Sequence, residues 1–224
     1  HLGAHRDVVD AAMGDAVAPK DLERRQVDPA SRLFPLFVSH ARVLHRGRDD
    51  RPQCPPMCTV VLDFAGDGAF WVAANRDEFF SRRTAAADFW DDAPDVLAGR
   101  DLEAGGTWLG ISRNGRFAAL TNYRDPVRNK DGAPSRGELV SRFLTGLKSP
   151  EAYLAELESC ADCYNGFNLV FGDADGLWCF SNCGEGERQL ASGVYGLSNH
   201  LLDTPWPKVV RGKSALNAAL RALP

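Results

Sequence analysis

From Thr59 onwards, short runs rich in β-branched and aromatic residues alternate with turn-forming clusters, a pattern of hairpins. Thr59–Phe64 and Phe70–Ala74 flank Ala65-Gly66-Asp67-Gly68, which predicts two antiparallel strands joined by a tight turn. Thr107–Ser112 and Arg116–Thr121 repeat the arrangement around Arg113-Asn114-Gly115. Gly166–Phe171 and Leu177–Ser181 do so again around Asp173-Ala174-Asp175-Gly176. Between the second and third hairpins the periodicity becomes helical. Ser135 followed by Glu138 reads as a capping box opening a helix through Leu147. Ser149-Pro150-Glu151, a cap followed by proline at the first helical position, opens a second helix to about Ser159. Lys208–Leu223 predicts a final amphipathic helix. Hairpins, then helices, then a hairpin and a helix define an α+β fold with antiparallel sheets. With no strand–helix alternation around a glycine-rich turn, a doubly wound nucleotide-binding fold is disfavoured.

Residues 1–56 differ from the rest. Nine basic and eight acidic residues make this segment highly charged yet nearly neutral, and no periodicity is sustained. It is expected to be a disordered extension, with one weak helix near Leu33–Leu44. Met57 is then the expected start of the folded part, giving a division into 1–56 and 57–224. The whole chain has 224 residues, 44% of them hydrophobic and 25% charged, which suits a globular domain of ordinary size. A net charge of −4 argues against a nucleic-acid partner, which calls for a basic face. No run approaches the roughly 20 apolar residues of a membrane span.

The polar cluster Asn75-Arg76-Asp77-Glu78 is the strongest chemical signal. It ends an apolar run flanked by Ala73-Ala74 and Phe79-Phe80, where packing has no use for it. A strand end opening on a cleft is one place for such a cluster; a strand-to-loop junction with a weak surface ion pair is the plainer reading. Cys58 lies one strand upstream. Were it the first residue, its own α-amine would accept the thiol proton without a histidine, with Asp77 holding the ammonium and Arg76 lowering the thiol pKa. The plainer reading is a small residue opening a strand. Asn122 and Asn199 each end an apolar run, where an amide can donate to an oxyanion or simply favour a turn. Gly105-Gly106-Thr107-Trp108 brings backbone close to the same cleft or makes a tight turn into a strand.

Six cysteines are too few for a disulfide scaffold, and reduced thiols are expected. Cys160-x2-Cys163 and Cys179-x3-Cys183 approach zinc-ribbon spacing, but Cys179 sits between Trp178 and Phe180 within a strand, so no metal is assigned. Four of the five histidines precede residue 51, leaving His200 alone for any mechanism in the folded part.

Together these segments resemble the transport and Golgi organisation 2 family, also called NRDE after residues 75–78. The resemblance runs through Met57-Cys58, Ala73–Phe80, Ala87-Asp88-Phe89-Trp90, Gly105–Ser112, Ala118–Tyr123, Arg136–Val140, Tyr164–Leu169, and Tyr195–Asn199 with Thr204-Pro205-Trp206. It implies that residues 1–56 are an addition and that the chain stops short of the family's C-terminus. The family is in turn similar to N-terminal nucleophile hydrolases of the choloylglycine and penicillin V acylase type, which implies a four-layer αββα sandwich. If the chain is an enzyme of that kind, Cys58, Arg76, Asp77, Asn122 and Asn199 are its catalytic residues. Arg76 stands between Asn75 and Asp77, whereas those hydrolases place an arginine before the asparagine.

The family motif, a candidate ligand site, comprises Asn75, Arg76, Asp77, Glu78, Thr107 and Trp108. The biology implied by the resemblance is Golgi organisation, protein secretion and haem or lipid homeostasis, in the cytoplasm with Golgi and mitochondrial association. That implies a non-enzymatic carrier or trafficking factor. Haem would be cargo rather than a required cofactor, and a lipid-derived molecule or a secretory-pathway protein the other partners. Cys58 and His200 are the obvious axial ligands, although a carrier that releases its cargo needs neither. The competing expectations are a cysteine amidohydrolase acting on a linear amide, and a secretory-pathway partner with a vestigial cleft.

Overall fold

The computed structural model describes residues 58–65, 70–78, 81–184 and 186–222. The expected disorder and helix within 1–56 lie outside the described residues. The elements are β1 (Thr59–Phe64), β2 (Phe70–Asn75), β3 (Thr84–Trp90), β4 (Ala93–Asp101), β5 (Leu109–Ser112), β6 (Phe117–Asn122), α1 (Gly137–Thr145), α2 (Pro150–Cys160), β7 (Phe167–Asp173), β8 (Gly176–Ser181), β9 (Gly186–Leu190), β10 (Gly193–Leu197) and α3 (Pro207–Arg221). Short 3-10 turns occupy Pro126–Arg128 and Ala161–Cys163.

Two antiparallel sheets form, a three-stranded one in the order β10-β1-β2 and a seven-stranded one from β3 through β9 in sequence order. Strand periodicity of two explains how they stack. On β8, Leu177 and Cys179 face one core while Trp178 and Phe180 face another. On β6, Phe117 and Ala119 likewise oppose Ala118 and Leu120. The first core lies between the sheets, where Val60, Leu62, Phe64, Phe70, Val72 and Leu197 meet the seven-stranded sheet. The second lies beneath α1 and α2, through Leu139, Val140, Phe143, Tyr153 and Leu157. The outer face of the three-stranded sheet is covered by α3, whose Val209 is buried and whose Gly212 lies against Val61. The layers run α–β–β–α, as expected. Because β6, β7 and β8 are covered on both faces, they read as continuous apolar runs rather than alternating ones.

The three predicted hairpins are present. In the first, Thr59 pairs with Asn75 and Phe64 with Phe70. The second turns through Gly115 at φ 76°, a left-handed conformation that suits glycine. In the third, Asp173 pairs with Gly176, and the Asp173 carboxylate accepts from the Asp175 N–H at 3.0 Å.

Helix α2 begins as expected, the Ser149 hydroxyl accepting from the Ala152 N–H at 3.2 Å with Pro150 in the first turn. The capping box at the start of α1 does not form. Arg136 is the cap residue and supplies no side-chain cap. The Glu138 N–H goes instead to the Ser135 carbonyl at 3.1 Å. The Glu138 carboxylate is taken by the Tyr164 hydroxyl, so it cannot reach back to the cap. α1 also stops at Thr145, before Leu147. There Arg116, buried under the helix end, donates to the carbonyls of Gly146 at 2.9 Å and Lys148 at 2.6 Å. A guanidinium fork thus satisfies chain that has left the helix.

Four strands go unpredicted. β3 is Thr-Ala-Ala-Ala-Asp-Phe-Trp and exposed over all but its last residue. β9 is a polar edge strand, Gly-Glu-Arg-Gln-Leu, whose only buried residue is Leu190. β4 carries Pro94 and Gly99, and β10 two glycines, composition that depresses strand propensity. Pairing with a neighbour overrides propensity in all four.

The second core sets a large expected loss for Phe143→Ala. Its ring lies 5.1 Å from both Tyr153 and Phe171 and is fully buried. Truncation should cost about 3–5 kcal/mol, read as a fall in the denaturant unfolding midpoint at unchanged slope. At Gly106, a Cβ would lie 2.6 Å from the Gly137 carbonyl carbon. Gly106→Ala should therefore destabilise the fold by about 1–3 kcal/mol, and an unchanged midpoint would refute the close contact.

Candidate functional site

The register of β1 with its two neighbours builds the site. Thr59 pairs with Asn75 on one side and Val60 with Leu197 on the other. Continued one residue along the first ladder and two along the second, the register sets Cys58 between Arg76 and the Ser198-Asn199 segment. The Cys58 thiol donates to the Asp77 carbonyl at 3.7 Å. Its own carbonyl accepts from the Ser198 hydroxyl at 2.7 Å and from Lys208 Nζ at 3.2 Å. Cys58 is thus fixed from three directions: the end of β2, the end of β10 and the first turn of α3.

A cleft of about 310 Å³ opens beside it. Its walls include Cys58, Arg76, Glu78, Thr107, Trp108 and Asn122 from the sequence-predicted set. Arg76 stacks over the Trp108 ring, 4.1 Å from its centroid, and pairs with Glu78 at 3.5 Å. Across the cleft, Arg82 grips the Asp101 carboxylate at 2.6 and 2.9 Å. That carboxylate also accepts the backbone N–H groups of Glu103 and Ala104. Although burial alone would raise it, these donors together hold the Asp101 carboxyl below its usual range. Thr107 is a scaffold residue, its hydroxyl donating to the Leu109 carbonyl at 3.2 Å and its N–H to the Gly137 carbonyl at 3.2 Å.

The electrostatics of Cys58 run against activation. Burial pushes its thiol above the ordinary value; the contact with the Asp77 carbonyl and the charge of Arg76 act in the opposite direction without overcoming it. The balance favours the neutral thiol over the thiolate. Asp77 meets Cys58 through its backbone, and its residue is exposed. Asn75, at the exposed end of β2, is outside the cleft lining.

The two asparagines diverge. Asn122 lines the cleft. Asn199 is buried behind it as a brace: its amide donates to the Asn122 carbonyl at 3.0 Å, while its side-chain oxygen accepts from Lys208 at 3.4 Å. His200 is also a scaffold residue. One ring nitrogen lies 3.1 Å from the Tyr123 hydroxyl and the other 2.9 Å from the Thr204 hydroxyl.

Cys179 is buried between the sheets, its thiol pushed up to about 12 by that burial, and Cys163 is exposed at the end of a 3-10 turn. All five described cysteines are free, and no metal-binding group of three or more His, Cys, Asp or Glu occurs among the described residues. No helix among them is long and apolar enough to cross a membrane.

Arg82, Asp101, Ser135, Arg136 and Asn165 also line the cleft but were not singled out as site residues by sequence reasoning. Ser198 and Lys208, which hold Cys58, were missed as well. Arg136 and Ser198 fall within segments that carry the family resemblance, and that was the signal available. Arg82, Asp101 and Lys208 reach the site only through strand and helix pairings far apart in sequence.

The family model for Transport and Golgi organisation 2 matches residues 57–223. The Bos taurus Transport and Golgi organization protein 2 homolog is 49% identical over 151 residues, covering 63% of this chain and 54% of its own length. The Mus musculus Transport and Golgi organization 2 homolog is 46% identical over 158 residues, 66% of this chain and 57% of its own. The Drosophila melanogaster Transport and Golgi organization protein 2 is 34% identical over 167 residues, 67% and 59% respectively. The chain thus spans little more than half the length of these curated relatives. Among solved structures, a penicillin V acylase from Agrobacterium tumefaciens aligns with 76% of this chain and 51% of its own, at a TM-score of 0.32 and 14% identity. On the match to residues 57–223, the chain belongs to the Transport and Golgi organisation 2 family.

Proposed function

We propose that this protein is a non-enzymatic carrier or trafficking factor acting in Golgi organisation, secretion and haem or lipid homeostasis. In this reading the cleft beside Cys58 receives a small hydrophobic ligand such as haem or a lipid-derived molecule. The observation that carries it is the state of Cys58. Burial shifts its thiol towards the neutral form, against the charge of Arg76 and the contact with the Asp77 carbonyl. A nucleophile needs the thiolate, and an N-terminal nucleophile needs a free amine. A cleft of about 310 Å³ sets Trp108, Leu120 and Pro134 among charged and amide side chains, which suits an amphiphilic molecule with an apolar part and polar groups. Cargo held this way needs no axial ligand from His200, whose two nitrogens are both engaged.

The carrier reading predicts that haem titrated into the full chain gives a saturable spectral change. Trp108→Ala, which removes the ring under Arg76, should weaken that binding by about tenfold or more. No saturable change would overturn the reading.

The thiol gives a second expected result. Exposed Cys163 serves as an internal control for alkylation by iodoacetamide at pH 7.5. Cys58 in the folded chain should react at least about tenfold more slowly. A raised thiol pKa makes its contribution to stability complete below the ordinary thiol value, with loss as pH rises above it. The unfolding midpoint should accordingly decline above about pH 9, and less so in Cys58→Ala.

One observation favours an amidohydrolase as the second reading. The Asn122 side chain lines the cleft beside the thiol, with no hydrogen bond of its own among the described residues, where it can donate to a developing oxyanion. That reading requires cleavage before Cys58. Mass spectrometry of the natural N-terminus, followed by turnover of linear amides by a chain beginning at Cys58 and its loss in Cys58→Ser, would establish it. Fast alkylation of Cys58 would point the same way.

A further inference from the structure

Three guanidinium groups line the cleft against two carboxylates. Two of the cations are matched, Arg76 by Glu78 and Arg82 by Asp101. The third, Arg136, makes one hydrogen bond among the described residues, from Nη1 to the Gly166 carbonyl at 2.9 Å. A guanidinium has five N–H donors, so four stay uncommitted on a half-buried side chain. Burial works against its charge, and the nearby Glu78 offsets this only in part while already serving Arg76. A half-buried guanidinium in a cleft wall, with N–H groups left over and no carboxylate bonded to it among the described residues, is suited to a ligand that supplies the anion.

We propose that Arg136 is the seat for the carboxylate of an amphiphilic ligand whose apolar part lies along Trp108 and Leu120. This rests on the reading of the cleft as a small-molecule site, and it specifies the ligand's chemistry. A single negative charge balances the single excess positive charge of the walls. The planar fork also matches the two oxygens of a carboxylate. Trp108 adds an apolar surface already held in place by Arg76, so the head and tail of such a ligand find separate, preformed walls.

The test uses the full chain, calorimetric titration and three probes: octanoate, methyl octanoate and octyl phosphate. Octanoate should bind at least about tenfold more tightly than its uncharged ester, the scale of a charge-assisted hydrogen bond. Arg136→Gln should weaken octanoate by about 10- to 100-fold and leave the ester unchanged, whereas Arg136→Lys should restore part of the loss. Circular dichroism and unfolding midpoints check that the variants fold. If the glutamine variant fails to fold, the wild-type preference for octanoate and the lysine variant decide. Equal affinity for octanoate and its ester, or an unaffected Arg136→Gln, overturns the seat and leaves a cleft that does not read the carboxylate. Tighter binding of octyl phosphate than octanoate overturns the assignment to a carboxylate. If octanoate does not bind at all, the seat is wrong, while the haem titration separately decides whether the cleft carries cargo.

Discussion

Strand β1 sits between β2 and β10, and its two hydrogen-bonded ladders govern everything around the cleft. A ladder has a period of two, so a slip of one residue would turn Val60, Leu62 and Phe64 from the inter-sheet core towards α3. The same register aligns Cys58 with the residues just beyond β2 and β10. Core packing and site assembly are therefore one constraint. The hydrophobic face holds the register, and the register holds the thiol.

The seven-stranded sheet supplies the opposite wall by a similar economy of means. Thr107 and Trp108 lead into β5, and Asn122 ends β6. Gly106 passes close enough to Gly137 that the start of α1 is set directly against the backbone entering β5. Arg136 enters the cleft because of that approach, while Arg82 and Asp101 come from the same open end of the β3–β4 pairing, where Thr84 lies opposite Asp101. The cleft is polar where chain ends converge and apolar where sheet residues reach it, the usual consequence of placing a site at strand termini rather than within a core.

The sequence made the sheet-and-helix order legible wherever turn chemistry and apolar runs coincided. Ser149-Pro150 marked α2 correctly because the cap uses only local atoms. Ser135 and Glu138 misled because Tyr164, 26 residues later, captures the carboxylate. β3 and β9 were invisible because alanines and charged residues at a sheet edge carry little intrinsic strand signal. For the site, the polar stop at residues 75–78 sends Arg76 and Glu78 to the lining of a cleft that Cys58 and Asn122 also reach, while Asn75 and Asp77 stay outside it. Asn199 was legible as a residue of interest but not as a brace, since a side chain's hydrogen bonds depend on what packs behind it. The lone charge of Arg136 could not be read at all without knowing which of its neighbours were already paired.

Lys208 belongs to the outermost layer, yet its ammonium touches the carbonyl of Cys58 and the side chain of Asn199. α3 is thereby more than a lid on the small sheet. It works as a guy-rope, anchored at Val209 and Gly212 and tied at its near end to the residue on which the cleft is centred. Slack in that outer helix would be transmitted straight to the thiol, so a partner that gripped α3 from outside could alter what the cleft holds without ever entering it.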